Sequence, residues 1–305
     1  MTMNDMNISL YPHLSKAAID LVDLPDDQRI LAIKEGTWIS YTRAKQILAQ
    51  MEELLNYPRI VRMPNMLIVG ASNNGKTQIL RYFEKKHKPD PNPDGDYSIV
   101  PVLFVEAPGK PDIGGFYDKL LEAVWQPYSI RAKDSEKERE VKKVLRSINL
   151  KVLMIDEIQH IIAGGQAKQR EFRNSLKSLG NELQISIICA GVEEAFNAFN
   201  TDSQLSNRFE PEFLPKWNMN DEYGDLLESF ERRLPLRKPS NLRGDPTIAQ
   251  KVLWMSEGIL GEIHEVLKRA AILAIKEKTE QVTLKIIEKI RWTMPSKRKV
   301  APPPT

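Results

Sequence analysis

A glycine-rich loop between an apolar run and a helical pattern constrains the fold more than any other feature of this sequence. The loop reads Gly70-Ala71-Ser72-Asn73-Asn74-Gly75-Lys76-Thr77, a complete G-x-x-x-x-G-K-[ST] motif. Residues 66–69 before it are continuously apolar, as expected of a buried parallel strand, and residues 78–86 after it contain neither glycine nor proline. The sequence therefore predicts a strand, a phosphate-binding loop and a helix in succession.

Residues 70–77, the phosphate loop, have the groups that a nucleoside triphosphate requires. The glycines let backbone N–H groups turn inward around phosphate oxygens, and the following helix adds the positive end of its dipole. We expect Lys76 to reach the β- and γ-phosphates and the Thr77 hydroxyl to ligate Mg²⁺. A chance glycine-rich turn is the alternative, which the flanking strand and helix disfavour.

A second apolar run, residues 151–155, ends in the adjacent carboxylates Asp156 and Glu157. Successive side chains of a strand point to opposite faces, so the two acids are predicted to have different roles. We expect Asp156 to hold the Mg²⁺ water shell against Thr77, and Glu157 to orient and deprotonate the attacking water. The alternative is a strand that ends in a solvated acidic turn. Because a phosphate loop precedes this strand, hydrolysis is favoured.

Composition limits the classes of function. The chain has 305 residues, 41% of them hydrophobic, so a globular fold with an ample core is expected. The net charge is only +3, so any contact with nucleic acid must come from local patches. No apolar run approaches the roughly 18 residues of a membrane span, and the N-terminus lacks a signal pattern. With its single cysteine, Cys189, the chain is expected in a reducing cytoplasm, without a membrane partner.

The periodicity predicts an α/β fold with a five-stranded parallel sheet, flanking helices, a helical N-terminal lead-in and a small all-helical C-terminal lid. The predicted strands are residues 66–69, 99–106, 151–155, 185–190 and 212–214. Four parts are expected: a helical segment 1–57, a nucleotide-binding core 58–217, the lid 218–294, and a disordered basic, proline-rich tail 295–305.

This combination of core, phosphate loop, Asp-Glu strand and lid resembles the AAA+ P-loop ATPases. Longer stretches are similar to the TniB family, the ATPases of bacterial transposons, which are related to TnsC and more distantly to MuB. The stretches are residues 24–26, 38–44, 62–70, 205–209 and 229–237. The phosphate loop and the Asp-Glu pair are common to many NTPases, whereas Trp38 and residues 230–237 point to this branch.

The resemblance implies an ATP-dependent regulator of DNA transposition. Such a protein oligomerises on duplex DNA as a ring or filament, recruits the transposase, and links it to a target selector of the TniQ type. It implies ATP and Mg²⁺ as cofactors, with the roles given above for Lys76, Thr77 and Asp156, and Glu157 as the catalytic acid. Arg208 matches the finger that reaches the γ-phosphate of a neighbouring subunit. An ordinary surface arginine is the alternative for Arg208.

Two departures from the family pattern predict slow hydrolysis. Where many AAA+ members carry a polar residue after strand four, this chain has Gly191-Val192-Glu193. Where many carry a sensing arginine in the lid, it has Glu262. Both features suit a timer or switch rather than a fast motor.

Basic residues near the expected ring pore are candidates for sequence-independent contacts with the duplex backbone. They are Lys110, Arg131, Lys133, Lys168 and Arg173. Solvation of the surface is the alternative for each of them. Trp38, Ile39 and Tyr41 are expected to cover the adenine ring, or alternatively to pack as hinge residues.

Two other functions stay open from the sequence. One is a helicase-loader-like ATPase that acts on single-stranded DNA. The other is a nucleotide-gated scaffold that does not hydrolyse ATP.

Overall fold

The computed structural model describes residues 10–36, 38–162, 165–200 and 203–299. Its contacts divide the chain into two compact units. One, the terminal unit, contains the residues up to 42 and those from 216 onward, and the other, the core unit, contains residues 43–215. Residues 43–57, expected in a separate N-terminal segment, thus lie in the core unit. The four-part division at 57, 217 and 294 otherwise remains a prediction.

Strands and helices alternate through the core unit. The strands are β1 (Asn65–Gly70), β2 (Val102–Glu106), β3 (Val152–Asp156), β4 (Ser186–Gly191) and β5 (Phe209–Leu214). The helices of the whole chain are α1 (Lys16–Val22), α2 (Asp26–Glu35), α3 (Thr42–Leu55), α4 (Lys76–Lys86), α5 (Ile113–Ala123), α6 (Asp134–Ser147), α7 (Gln159–Ile162), α8 (Gln166–Leu183), α9 (Glu193–Asn200), α10 (Ser203–Ser206), α11 (Asp221–Glu231), α12 (Pro246–Ser256), α13 (Leu260–Lys276) and α14 (Leu284–Glu288).

The five strands form one parallel sheet in the order β2-β3-β4-β1-β5, which confirms the predicted fold class. Every residue of β1, β3 and β4 is buried, because helices cover both faces of such a sheet. The carboxyl ends of parallel strands meet at one edge, here called the carboxyl edge. Gly70, Glu106, Asp156, Gly191 and Leu214 end their strands there.

One ring contact and two hydrogen bonds hold three helices side by side in the core unit. The rings of Phe116 on α5 and Phe172 on α8 meet edge to face with their centroids 5.0 Å apart. One residue further along α5, the Tyr117 hydroxyl lies 2.9 Å from Ser175 Oγ on α8. Helix α6 joins them through Lys137, whose ammonium donates to Asp118 at 2.7 Å. The three helices therefore start at the same end of the sheet.

The terminal unit is held together by a buried arginine. Arg29 on α2 is fully buried and donates to the Pro235 carbonyl at 2.8 and 3.1 Å, and to both carboxylate oxygens of Glu280. Burial would raise the pKa of Glu280, but the bonds from Arg29 and the Arg237 backbone, with both positive charges, hold it below its ordinary value. A charge this deep is stable only while paired, so this pair ties α2 to the lid helices.

The beginning of the C-terminal tail is ordered, which differs from the expected disorder. Pro295–Lys299 forms a 3₁₀ turn. The guanidinium of Arg298 donates a bidentate pair of hydrogen bonds to the Glu262 carboxylate, at 2.9 and 2.7 Å. The N–H of Ser296 donates to the Glu257 carboxylate. The start of the tail is thus held by the Arg298–Glu262 salt bridge, which composition alone does not reveal. Residues 300–305 lie outside the described residues.

Candidate nucleotide-binding site

The phosphate loop follows β1 at the carboxyl edge, and its backbone is shaped by two residues with positive φ. Gly75 has φ 91° and Asn73 has φ 60°. These angles belong to the left-handed region, which glycine adopts freely and asparagine more readily than most residues. The side chain of Asn74 turns the other way and donates to the carbonyls of Leu214 at 2.8 Å and Pro215 at 3.1 Å. The loop is thereby anchored to the end of β5.

Lys76 begins α4 and folds back over the loop. Its ammonium donates to the carbonyls of Gly70 and Ala71, each at 2.9 Å, and the residue is only 4% exposed. An ammonium has three N–H donors, so one donor remains beyond these two bonds. Burial lowers the pKa of Lys76, while the negative charges of Glu157 and Asp156 oppose that shift. The Lys76 ammonium is therefore a positive charge already positioned at the N-terminus of α4.

Thr77 and Asp156 come together as the sequence predicts. The Thr77 hydroxyl donates to Asp156 Oδ2 at 2.6 Å. Asp156 is 2% exposed, and burial raises the pKa of its carboxyl against the opposing bond from Thr77. A hydroxyl and a buried carboxylate are oxygen ligands of the kind that Mg²⁺ prefers. These two residues therefore fit a magnesium ion bound next to a triphosphate.

Glu157 follows directly, and its backbone takes a left-handed conformation with φ 54°. Its N–H donates to Asp156 Oδ1 at 2.9 Å, which turns the chain sharply at the end of β3. The carboxylate accepts a hydrogen bond from the side-chain amide of Gln159. The sequence predicted the position of Glu157, but it did not single out Gln159. The location of Gln159 two residues after Glu157 was the available signal.

Arg208 lies away from the phosphate loop of its own chain. Its carbonyl accepts from the N–H of Asn65 at 3.2 Å, so it stands beside the first residue of β1, whereas the loop follows the last. The five residue steps from the first to the last residue of β1 span about 17 Å, so the Arg208 backbone lies about that far from the loop. The guanidinium donates to Asn181 at 3.0 Å and borders a groove lined by Met63, Leu176 and Phe209.

Four of the five predicted DNA contacts lie at one end of α5, α6 and α8. A Cβ on Gly114 would lie 2.5 Å from Asp134 Oδ1, so the first turns of α5 and α6 are adjacent. Phe172, which packs on the first turn of α5, follows Lys168 by one helical turn. The basic end defined by these contacts consists of Lys110, Arg131, Lys133 and Lys168, all exposed.

Two carboxylates near the basic end are engaged in helix capping. Asp112 accepts from the N–H of Gly115 at 3.1 Å, and Glu136 accepts from the N–H of Lys133 at 3.3 Å. Arg173 does not join this end, because it lines a small apolar groove with Phe172, Leu176 and Phe199.

The three residues expected at the adenine ring lie in the terminal unit and are half-buried there. Ile39 and Tyr41 pack on its apolar core, and the Tyr41 ring meets Trp217 edge to face at 5.3 Å. This packing agrees with the hinge alternative for Tyr41. A contact of Trp38, Ile39 or Tyr41 with the base stays a prediction.

Comparison with solved structures identifies the fold as that of the AAA+ P-loop ATPases. The Aeropyrum pernix ORC2 protein in its ADPNP–ADP complexes is 14% identical, with TM-score 0.60 over 85% of this chain and 70% of that one. The Aeropyrum pernix ORC1 protein in complex with DNA is 14% identical, with TM-score 0.51 over 81% and 63%. Domain III of the Thermotoga maritima replication initiation protein DnaA is 16% identical, with TM-score 0.52 over 82% and 91%.

Sequence comparison gives the family. None of the curated proteins compared with this chain matches it significantly. The described residues contain no helix long and apolar enough to span a bilayer. The family model of the bacterial TniB protein matches residues 29–219, which include the phosphate loop, the Asp-Glu strand and Arg208. The chain therefore belongs to the TniB family.

Proposed function

We propose that this protein is an ATP-dependent regulator of transposition that hydrolyses ATP slowly and assembles on duplex DNA. The observation that carries the proposal is the Lys76, Thr77 and Asp156 arrangement at the phosphate loop of a TniB-family chain. In this role it recruits the transposase and links it to a target selector of the TniQ type. Support for those partners comes from the family resemblance alone.

The residues at the carboxyl edge have separate tasks in hydrolysis. The loop N–H groups and Lys76 bind and orient the triphosphate, and Thr77 and Asp156 hold Mg²⁺, which neutralises charge on the phosphates when bound. Glu157 orients a water molecule and takes its proton as the water oxygen attacks the γ-phosphorus. The bond from that phosphorus to the bridging oxygen breaks, releasing ADP and phosphate.

Assembly is proposed because Arg208 is distant from its own phosphate loop. The Arg208 backbone lies about 17 Å from the phosphate loop along β1, so its side chain cannot reach a γ-phosphate bound by the same chain. The Arg208 guanidinium of a second copy can reach that γ-phosphate. This requires the two copies to pack so that Arg208 of one lies against the carboxyl edge of the other. Hydrolysis then depends on oligomerisation, which is the behaviour expected of an arginine finger supplied in trans.

Binding to duplex DNA is proposed for the basic end. Its four side chains are long, exposed cations at or just before the starts of three adjacent helices. Such a set can follow a phosphate backbone but offers few groups that distinguish bases. One structural neighbour, the ORC1 protein, forms a complex with DNA, which is consistent with this use of the fold.

Measuring ATP turnover without DNA, with single-stranded DNA and with duplex DNA tests the proposed function. We expect slow turnover that duplex DNA stimulates most, because assembly on the duplex completes each site with a neighbour's Arg208. Greater stimulation by single strands would favour the helicase-loader alternative. Nucleotide-dependent assembly without any turnover would favour the scaffold.

Replacing Lys110 and Lys133 together by alanine should weaken binding to all duplex sequences alike. Each lost phosphate contact lowers the slope of log affinity against log salt by about 0.9, so the double variant should lose about 2 from that slope. Fluorescence anisotropy over a series of salt concentrations measures it. Lys85→Ala is the matched control, because Lys85 is exposed in the last turn of α4, distant from this end.

A changed sequence preference at constant slope would contradict backbone binding at the basic end. So would an equal loss of slope in the Lys85→Ala control.

A further inference from the structure

The Gln159 side chain has one satisfied and one unsatisfied end beside Glu157. Its amide nitrogen donates to Glu157 Oε2. Its Oε1 is buried, and no hydrogen-bond donor among the described residues reaches it. A buried amide oxygen without a partner is destabilising, so its presence in a folded chain requires an explanation.

The end of β4 leaves space for this amide. A Cβ on Gly191 would lie 3.0 Å from Gln159 Oε1 and 2.8 Å from Ile158 Cγ2, closer than side chains tolerate. The N–H of Ile158 also donates to the Ala190 carbonyl at 3.0 Å, which fixes the turn after Glu157 against β4. A side chain at 191 would therefore displace Ile158 and press on Gln159 Oε1, so glycine here favours the observed position of Gln159.

Glu157 is restrained on its backbone as well as on its side chain. Its N–H is bonded to Asp156, and its carbonyl accepts from the N–H of His160 at 3.1 Å. Its φ of 54° lies in the left-handed region, which is unfavourable for a non-glycine residue. With the backbone fixed this way, the bond from Gln159 is the contact that sets the direction of the carboxylate.

We infer that Gln159 is a positioning residue for hydrolysis: its amide holds the Glu157 carboxylate in the orientation that takes the proton from water. This inference rests on the proposed ATPase function. The amide takes one carboxylate oxygen and leaves the other to accept from water. The unsatisfied Oε1 is explained as the cost of keeping the amide turned toward Glu157.

Gln159→Met tests this role, because methionine keeps the length of the side chain and removes the donor. We expect kcat for ATP to fall about tenfold or more, while the Kd for ATP and the thermal midpoint stay unchanged. In the Glu157→Gln background, the same substitution should cause no further loss, because a residue that acts through Glu157 has nothing left to orient. Gln126→Met is the matched control, since that amide also donates to a carboxylate, Glu140, at 3.2 Å.

A second variant covers the case in which Gln159→Met does not fold. Gln159→Glu keeps volume and polarity but opposes Glu157 with a like charge, so hydrolysis should fall at least as far. Wild-type turnover in the folded variants would overturn the inference, as would an equal loss in the Glu157→Gln background. Absence of turnover in the unchanged chain would instead contradict the proposed function.

Discussion

Lys76→Ala should abolish tight ATP binding and, with it, ATP-dependent assembly on DNA. The buried ammonium is held over the loop by the Gly70 and Ala71 carbonyls, with one donor to spare for a phosphate oxygen. Loss of a charged group that contacts two phosphates removes about 3 kcal/mol or more of binding, which is a loss of at least roughly 100-fold. Isothermal titration with ATP and Mg²⁺ measures the affinity.

Two further variants separate phosphate binding from folding. Lys76→Met removes the charge but fills the buried space, so it should lose ATP as Lys76→Ala does while keeping the thermal midpoint. Lys85→Ala, on the same helix but exposed, should bind ATP normally. Micromolar ATP affinity in a folded Lys76→Met protein would contradict the role assigned to Lys76.

The nucleotide site could be predicted from the sequence because its determinants are local. The phosphate loop is one continuous motif, and the strand before it and helix after it leave clear apolar patterns. The pairing of Thr77 with Asp156 follows from topology, since parallel strands end at a common edge. Strand limits were less accurate. The predicted strand 99–106 begins at Val102, because Ile99 pairs antiparallel with Asp90 instead.

Features that depend on contacts between distant segments could not be predicted. Arg29 is a buried residue that pairs with Glu280 from the far end of the chain, and nothing in its helix pattern indicates this. The tail residue Arg298 pairs with Glu262 in the same way, whereas the basic, proline-rich composition of the tail predicts disorder. Lys137, in a highly charged helix, is buried against Asp118. Each pair requires knowledge of the tertiary packing.

Glu157→Gln should keep ATP binding and lose hydrolysis, so that DNA-bound assemblies persist. Glutamine preserves the shape and leaves Thr77 and Asp156 to hold the metal, but it cannot take a proton from water. Loss of general-base catalysis costs about 10²- to 10⁴-fold in rate. Phosphate release measures hydrolysis, and dissociation of labelled duplex in the presence of ATP measures the lifetime of the assembly, which should increase.

Glu106→Gln is the matched control for Glu157→Gln, because Glu106 is another glutamate at the carboxyl edge. Glu106 ends β2, is exposed, and pairs in register with Asp156. We expect Glu106→Gln to hydrolyse ATP at close to the wild-type rate, because its extended strand backbone does not turn it toward the loop as the φ of Glu157 does. If Glu106→Gln loses turnover and Glu157→Gln retains it, Glu106 is the base. If Glu157→Gln fails to assemble with ATP, then Glu157 supports the structure of the site rather than its chemistry.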